Sequence, residues 1–198
     1  MDYSTTDISD FGLAARIKNI LLTPKSEWRV IQAEATSVSR LYSGYVMPMA
    51  AFAATMSFIR MTVVGVEFPS GGTLRTPFIN GLFTSLLTFV LSLVGLYLVG
   101  LVINLLALAF GGRRDRRQAL KTATYALTPA WLATPLSFLP MGNFLQFIAG
   151  LYGVYLLYIG LPVMMQATED GAGGYASSVV ACAIGVGLLF GVGAATLI

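Results

Sequence analysis

Residues 78–110 read FINGLFTSLLTFVLSLVGLYLVGLVINLLALAF, 33 positions without a charge. A helix that is apolar on every side has no face to offer water, and a run longer than 18 such residues reads as a membrane span. At about 1.5 Å per residue it would reach roughly 50 Å, against a hydrocarbon core about 30 Å thick. It is therefore expected to tilt and protrude or to bend, with Gly95 and Gly100 as the weak points. Asn104 lies near the end that leads into GGRRDRRQALK, residues 111–121.

The pattern recurs on both sides of this stretch. Residues 45–66 form an earlier apolar run, with Pro48 in its first turn, where it breaks no internal hydrogen bond. Residues 122–139 contain Pro129 and Pro135, so a straight helix is not expected there. Unwound backbone in a membrane needs protein or water to satisfy the freed groups. The turn PMGN leads into a fourth run over 144–165, with Pro162 near its end, and the third and fourth runs should pair as a helical hairpin. A fifth covers 176–198, where Ala183, Gly187, Gly191 and Ala195 recur every four residues. Such small-residue ladders let helices approach closely, within one subunit or between two. The predicted fold is an all-α bundle of five transmembrane helices (residues 43–198) behind a short amphipathic cytoplasmic segment (1–42).

Composition agrees. Of 198 residues, 56% are hydrophobic and only 11% charged, against about 25% charged in a soluble domain. The net charge of +3 is too small to suggest a nucleic-acid partner. The one cysteine, Cys182, cannot form an internal disulfide, and there is no histidine, the commonest general base and metal ligand. The first long apolar run begins near Tyr45, too late for a cleaved signal sequence, and is expected to act as an uncleaved anchor.

In the first segment Leu13, Ile17, Ile20 and Leu21 share one helix face, with Arg16 and Lys18 read as off it and Ser9 or Asp10 as a cap. This helix either lies at the headgroups or packs on the bundle. Thr23-Pro24 marks a second helix start: a capping hydroxyl, then proline at the first position. Trp28 is expected at the membrane interface with its N–H wet. Five basic residues precede residue 45, five more lie in 111–121, and one, Arg75, follows the first run. The positive-inside rule then puts the N-terminus in the cytoplasm and the C-terminus outside.

No converging reactive groups, cofactor motif or metal spacing is visible, so the chain is not expected to be an enzyme. The polar residues within the runs are Arg60, Asn104 and the tyrosines Tyr125, Tyr152, Tyr155 and Tyr158. Together they are candidates for a pathway, or for packing with hydroxyls bonded to backbone. Arg60 is expected to snorkel to the interface or to pair with Glu67. Arg113, Arg114, Arg116 and Arg117 are candidates for lipid headgroups as well as topology determinants.

Several stretches, in this order and spacing, resemble one known family. LLTPKSEWRVI (21–31), GYVMPMA (44–50), TYALTPAWLATPL (124–136) and LYGVYLLYIGLPVMM (151–165) are similar to bacterial Yip-domain membrane proteins, relatives of the eukaryotic Ypt-interacting proteins. The resemblance implies five spans, a cytoplasmic N-terminus and an outward C-terminus. In eukaryotic relatives it implies trafficking roles with Rab-type GTPases and with one another. Here the arm is short, and Ser43-Gly44-Tyr45-Val46-Met47-Pro48 lacks the acidic residue of the eukaryotic motif, so a GTPase partner is not expected. The leading expectation is a non-catalytic organiser or adaptor that contacts membrane lipids and other membrane proteins, as a homo-oligomer. A channel or transporter is the alternative, and lipid handling a weaker one.

Overall fold

The computed structural model describes residues 12–67 and 72–195, apart from the side chains of Glu67 and residues 192–195. The expected caps Ser9 and Asp10, and any pairing of Arg60 with Glu67, lie outside this description. Helix α1 (Leu13–Leu22) and helix α2 (Pro24–Ala33) form a hairpin arm. A continuous helical run follows over Val38–Val64: α3 (Val38–Leu41), a wide π-turn (Tyr42–Val46), α4 (Met47–Phe58) and a second π-turn (Ile59–Val64). A two-residue antiparallel ladder pairs β1 (Val66–Glu67) with β2 (Thr73–Leu74). Then come α5 (Phe78–Leu106), running on as a 3₁₀ turn to Phe110, α6 (Arg116–Ala126), α7 (Thr128–Leu132), a 3₁₀ turn (Thr134–Phe138), α8 (Gly142–Met165) and α9 (Ala172–Ala195).

Among the described residues, four helices are long and apolar enough to cross a membrane: Val38–Val64, Phe78–Phe110, Gly142–Met165 and Ala172–Gly191. The third expected run has no such helix. It is divided among α6, α7 and a 3₁₀ turn, with Pro129 in the first turn of α7 and Pro135 at the start of the 3₁₀ turn. Each proline opens a new short helix because it cannot donate to the turn before it. The helical run around Pro48 begins earlier than expected, so this proline is interior. The π-turn just before it, where the Met47 N–H reaches back to the Tyr42 carbonyl, accommodates the ring. Pro162 lies inside α8, three residues before its end.

The helix α5 is unbroken through Gly95 and Gly100. They are notches: a Cβ at Gly100 would lie 2.6 Å from Leu120 of α6, and one at Gly95 would lie 3.3 Å from Phe190 of α9. Gly153 does the same for α6, whose Ala126 carbonyl would be 2.7 Å from an added Cβ. The core thus forms where α5, α6, α8 and α9 meet, around Ile103, Leu120, Leu156, Leu161, Tyr175 and Val179.

The arm packs on this bundle. Ile20, Trp28 and Ile31 are fully buried. Trp28 does not keep a wet N–H at an interface. Its ring lies on Gly160 of α8, where an added Cβ would come within 2.6 Å of it, and its Nε1 has no hydrogen-bond partner among the described residues. The Tyr152 hydroxyl donates to the Leu21 carbonyl at 2.7 Å. Tyr152 precedes the end of α8 by 13 residues, so the turn of the arm lies alongside the middle of that helix, about 20 Å from its end. Thr23 is not a side-chain cap for α2, because its hydroxyl turns back to donate to Asn19 of α1.

Gly160→Leu should therefore expel the Trp28 ring, red-shift tryptophan emission, and cost about 1–3 kcal/mol in detergent-solubilised protein. Gly173→Leu, whose added Cβ meets no atom within 4 Å, is the control and should melt like the parent.

Candidate functional site

The most unusual chemistry lies between the arm and α6. Arg16 projects from α1 and is 5% exposed. Its two terminal nitrogens pair with the carboxylates of Glu27 and Glu34. Its guanidinium also lies over the Tyr125 ring, 5.9 Å from the centroid. Tyr125 meets Tyr45 edge-on with centroids 4.8 Å apart, and Trp28 at 6.4 Å. The Tyr45 hydroxyl is 2.9 Å from the Thr128 hydroxyl, at the break between α6 and α7.

A second cation closes the junction. Lys121 is 2% exposed, and its ammonium donates to the Ile31 carbonyl at 2.8 Å and to the Glu34 carbonyl. It thus caps the C-terminal end of α2, where unpaired carbonyls carry partial negative charge. Burial pulls the Lys121 ammonium down from the usual lysine range to about 8, while Asp115 acts in the opposite direction. Gln32 adds a bond to the Val163 carbonyl of α8, and Gln118 donates to the Gln32 carbonyl. Two cations and two carboxylates balance inside a shell of aromatic rings.

None of these charges was singled out from the sequence. The signal was present, because Arg16 is four residues before Ile20 and Glu27 is four before Ile31, each on an apolar face. Opposite charges on the buried faces of two neighbouring helices point to a buried pair. Arg16 therefore belongs to the inward stripe of α1, not off it.

The expected pathway residues are not gathered around one cavity: Tyr155 and Tyr158 line an open trough between α8 and α9, and the others lie elsewhere. Tyr125 is enclosed by Arg16, Tyr45 and Trp28. Tyr152 is bonded to the arm, whereas Tyr155 and Tyr158 face outward, 41% and 48% exposed. Asn104 is half-buried on α5, and its Oδ1 has no partner. Arg60 is half-buried, and its Nε donates to the Ser137 carbonyl at 2.9 Å, in the 3₁₀ turn after Pro135. It supplies a donor to backbone released by the broken third element.

Arg113, Arg114, Arg116 and Arg117 are all exposed around Asp115, whose carboxylate caps α6 by accepting from the Arg117 and Gln118 N–H groups. On α9, Ala183 is half-buried, while Gly187 and Gly191 are exposed with no atom within 4 Å of an added Cβ. The side chain of Ala195 lies outside the described residues.

A predominantly helical chain whose described residues include four apolar helices of membrane-spanning length is a multi-pass membrane protein. The chain belongs to the Yip1 domain family, whose match covers residues 18–191. It is similar to the inner membrane protein YohC of Escherichia coli strain K12, 29% identical over 164 residues that cover 81% of this chain and 84% of the relative. YohC of Escherichia coli O6:H1 strain CFT073 matches with the same identity and coverage. No solved structure matches the chain.

Two substitutions test this geometry. Arg16→Met should strand two buried carboxylates and cost about 3–5 kcal/mol. Removing all three charges together, Arg16→Met with Glu27→Leu and Glu34→Leu, should recover most of that loss in thermal melts. Arg60→Met should cost about 1–3 kcal/mol by leaving the Ser137 carbonyl without its donor. Arg60→Lys, which has no Nε–H fork, should restore only part.

Proposed function

We propose that this protein is a non-catalytic organiser or adaptor of membrane components, acting through helix–helix and lipid contacts as an oligomer in a bacterial inner membrane. The observation that carries this reading is where the polar side chains of the bundle direct their hydrogen bonds. Arg16 and Lys121 hold the arm, Arg60 holds the broken third element, Tyr152 holds the arm's turn, and Tyr175 donates to the Ile103 carbonyl. Groups committed to internal structure are not free to converge on a reacting substrate. The inner membrane assignment rests on the similarity to the inner membrane protein YohC.

Residues 122–139, from within α6 through α7 and its 3₁₀ turn, make the fifth crossing in this reading, which places the N-terminus and the basic segment 111–121 in the cytoplasm and the C-terminus outside. Its irregular backbone is tolerable there because its turns close on their own hydrogen bonds and Arg60 donates to the Ser137 carbonyl. No GTPase partner, cofactor or nucleic acid is part of the reading.

Transport is the rival, since discontinuous helices often build binding sites at the membrane midplane. The separation of Asn104, Tyr125 and Tyr155 into three surroundings weighs against it. The outward glycines of α9 favour association, because they offer a flat, unobstructed surface at which a second helix can approach.

Two measurements test the reading. With Cys182→Ser as background, Gly187→Cys should give a dimer-sized disulfide product in native membranes, and Gly187→Leu with Gly191→Leu should abolish self-association without lowering the melting temperature. Purified protein in sealed liposomes should carry no specific flux of small ions or solutes. A strictly monomeric protein, or saturable flux, would overturn the organiser reading.

A further inference from the structure

A groove on the outside of the bundle, formed by α2, α8 and α9, joins a charged end to an apolar trough. At its upper end is a cavity of about 370 Å³, lined by Lys25 and Arg29 of α2, Glu169 of the α8–α9 turn, and Tyr158 and Pro162 of α8. Below it opens a cavity of about 660 Å³ between α8 and α9, lined by Tyr158 again and by Leu151, Tyr155, Gly173, Val180 and Ile184 among others. Tyr158 lines both, so the polar end and the apolar trough adjoin at this residue.

Three features point to the occupant. The first is charge. Among the described residues the ion pairs are those of Arg16 with Glu27 and Glu34, so Lys25, Arg29 and Glu169 face the same cavity without pairing with one another. Two cations suit a phosphate, and a carboxylate across from them suits an ammonium. The second is length. The trough runs along α9 from Gly173 to Ile184, 11 residues, or about 16 Å. That is half the thickness of the hydrocarbon core, the depth of one leaflet. The third is the absence of a side chain at Gly173, where an added Cβ would meet nothing within 4 Å. This leaves the mouth of the trough open just below the charged end.

We propose that this groove binds a zwitterionic aminophospholipid of the phosphatidylethanolamine type. Lys25 and Arg29 hold its phosphate, Glu169 holds its ammonium, and one acyl chain lies in the trough over Tyr155 and Val180. The site is distinct from the arginines of 111–121, which are exposed around Asp115 and line neither cavity. It goes beyond the organiser reading and does not depend on it, because a transporter could hold the same lipid.

The test is native mass spectrometry of the full chain released from nanodiscs. The discs contain phosphatidylcholine mixed in equal parts with either phosphatidylethanolamine or phosphatidylglycerol. The parent protein should retain phosphatidylethanolamine over both others. Lys25→Ala with Arg29→Ala should lower that occupancy roughly tenfold or more, and Gly173→Leu should do so without touching either charge. Glu169→Gln should erase the preference over phosphatidylglycerol while leaving binding of the latter intact. Arg113→Ala with Arg114→Ala should change nothing. Equal retention of all three lipids by the parent would overturn the proposal, as would parent-like occupancy in Gly173→Leu. Preference for phosphatidylglycerol would overturn the ammonium assignment. Displacement of the lipid by free glycerophosphoethanolamine at low concentration would overturn the acyl-chain contact. Melting temperatures of all variants separate loss of lipid from loss of fold.

Discussion

A guanidinium buried between two carboxylates is the constraint on which the rest of this molecule depends. Arg16, Glu27 and Glu34 come from two short helices that could not hold together in water, since helices of ten residues are marginal by themselves. Taking these charges out of water costs several kcal/mol per ion, and their mutual attraction offsets that only with good geometry. The Tyr125 ring, and Lys121 on the carbonyls at the end of α2, complete that geometry from α6. The arm can therefore dock in one register only. Any other register would leave a charge buried without its partner.

That docking sets the shape of the membrane face. With α1 and α2 held against α6, Trp28 settles on Gly160 and the arm's turn lies beside Tyr152, midway along α8. The exposed side of α2 then presents Lys25 and Arg29 to the α8–α9 groove. A surface of mixed charge above an apolar trough is the product of packing. No single helix carries it.

The third element follows the same logic at the opposite end. Pro129 and Pro135 divide it into short helices, and backbone freed at such breaks must find donors and acceptors elsewhere in the protein. Arg60, in the second π-turn of the first run, reaches the Ser137 carbonyl across 77 residues of sequence. A charge in an apolar run is often read as a functional group. Here it is spent on structure, which explains how an arginine and a broken helix occur together.

The sequence by itself determined the helical class, the positions of the apolar runs and the break at the prolines, because these depend on local composition and on the missing proline N–H. The family resemblance was legible for the same reason, in motifs such as TYALTPAWLATPL that lie on single elements. Tertiary structure alone decided that Gly95 and Gly100 are notches, that Trp28 is buried, that Arg16 faces inward and that Tyr155 and Tyr158 are exposed on the outside of the bundle while Tyr152 is bonded to the arm. Each of these depends on what a distant segment brings to within van der Waals or hydrogen-bonding reach. A 3.6-residue period indicates which side chains share a face, but in an almost uniformly apolar helix every face looks alike, and only the neighbour that packs there tells them apart.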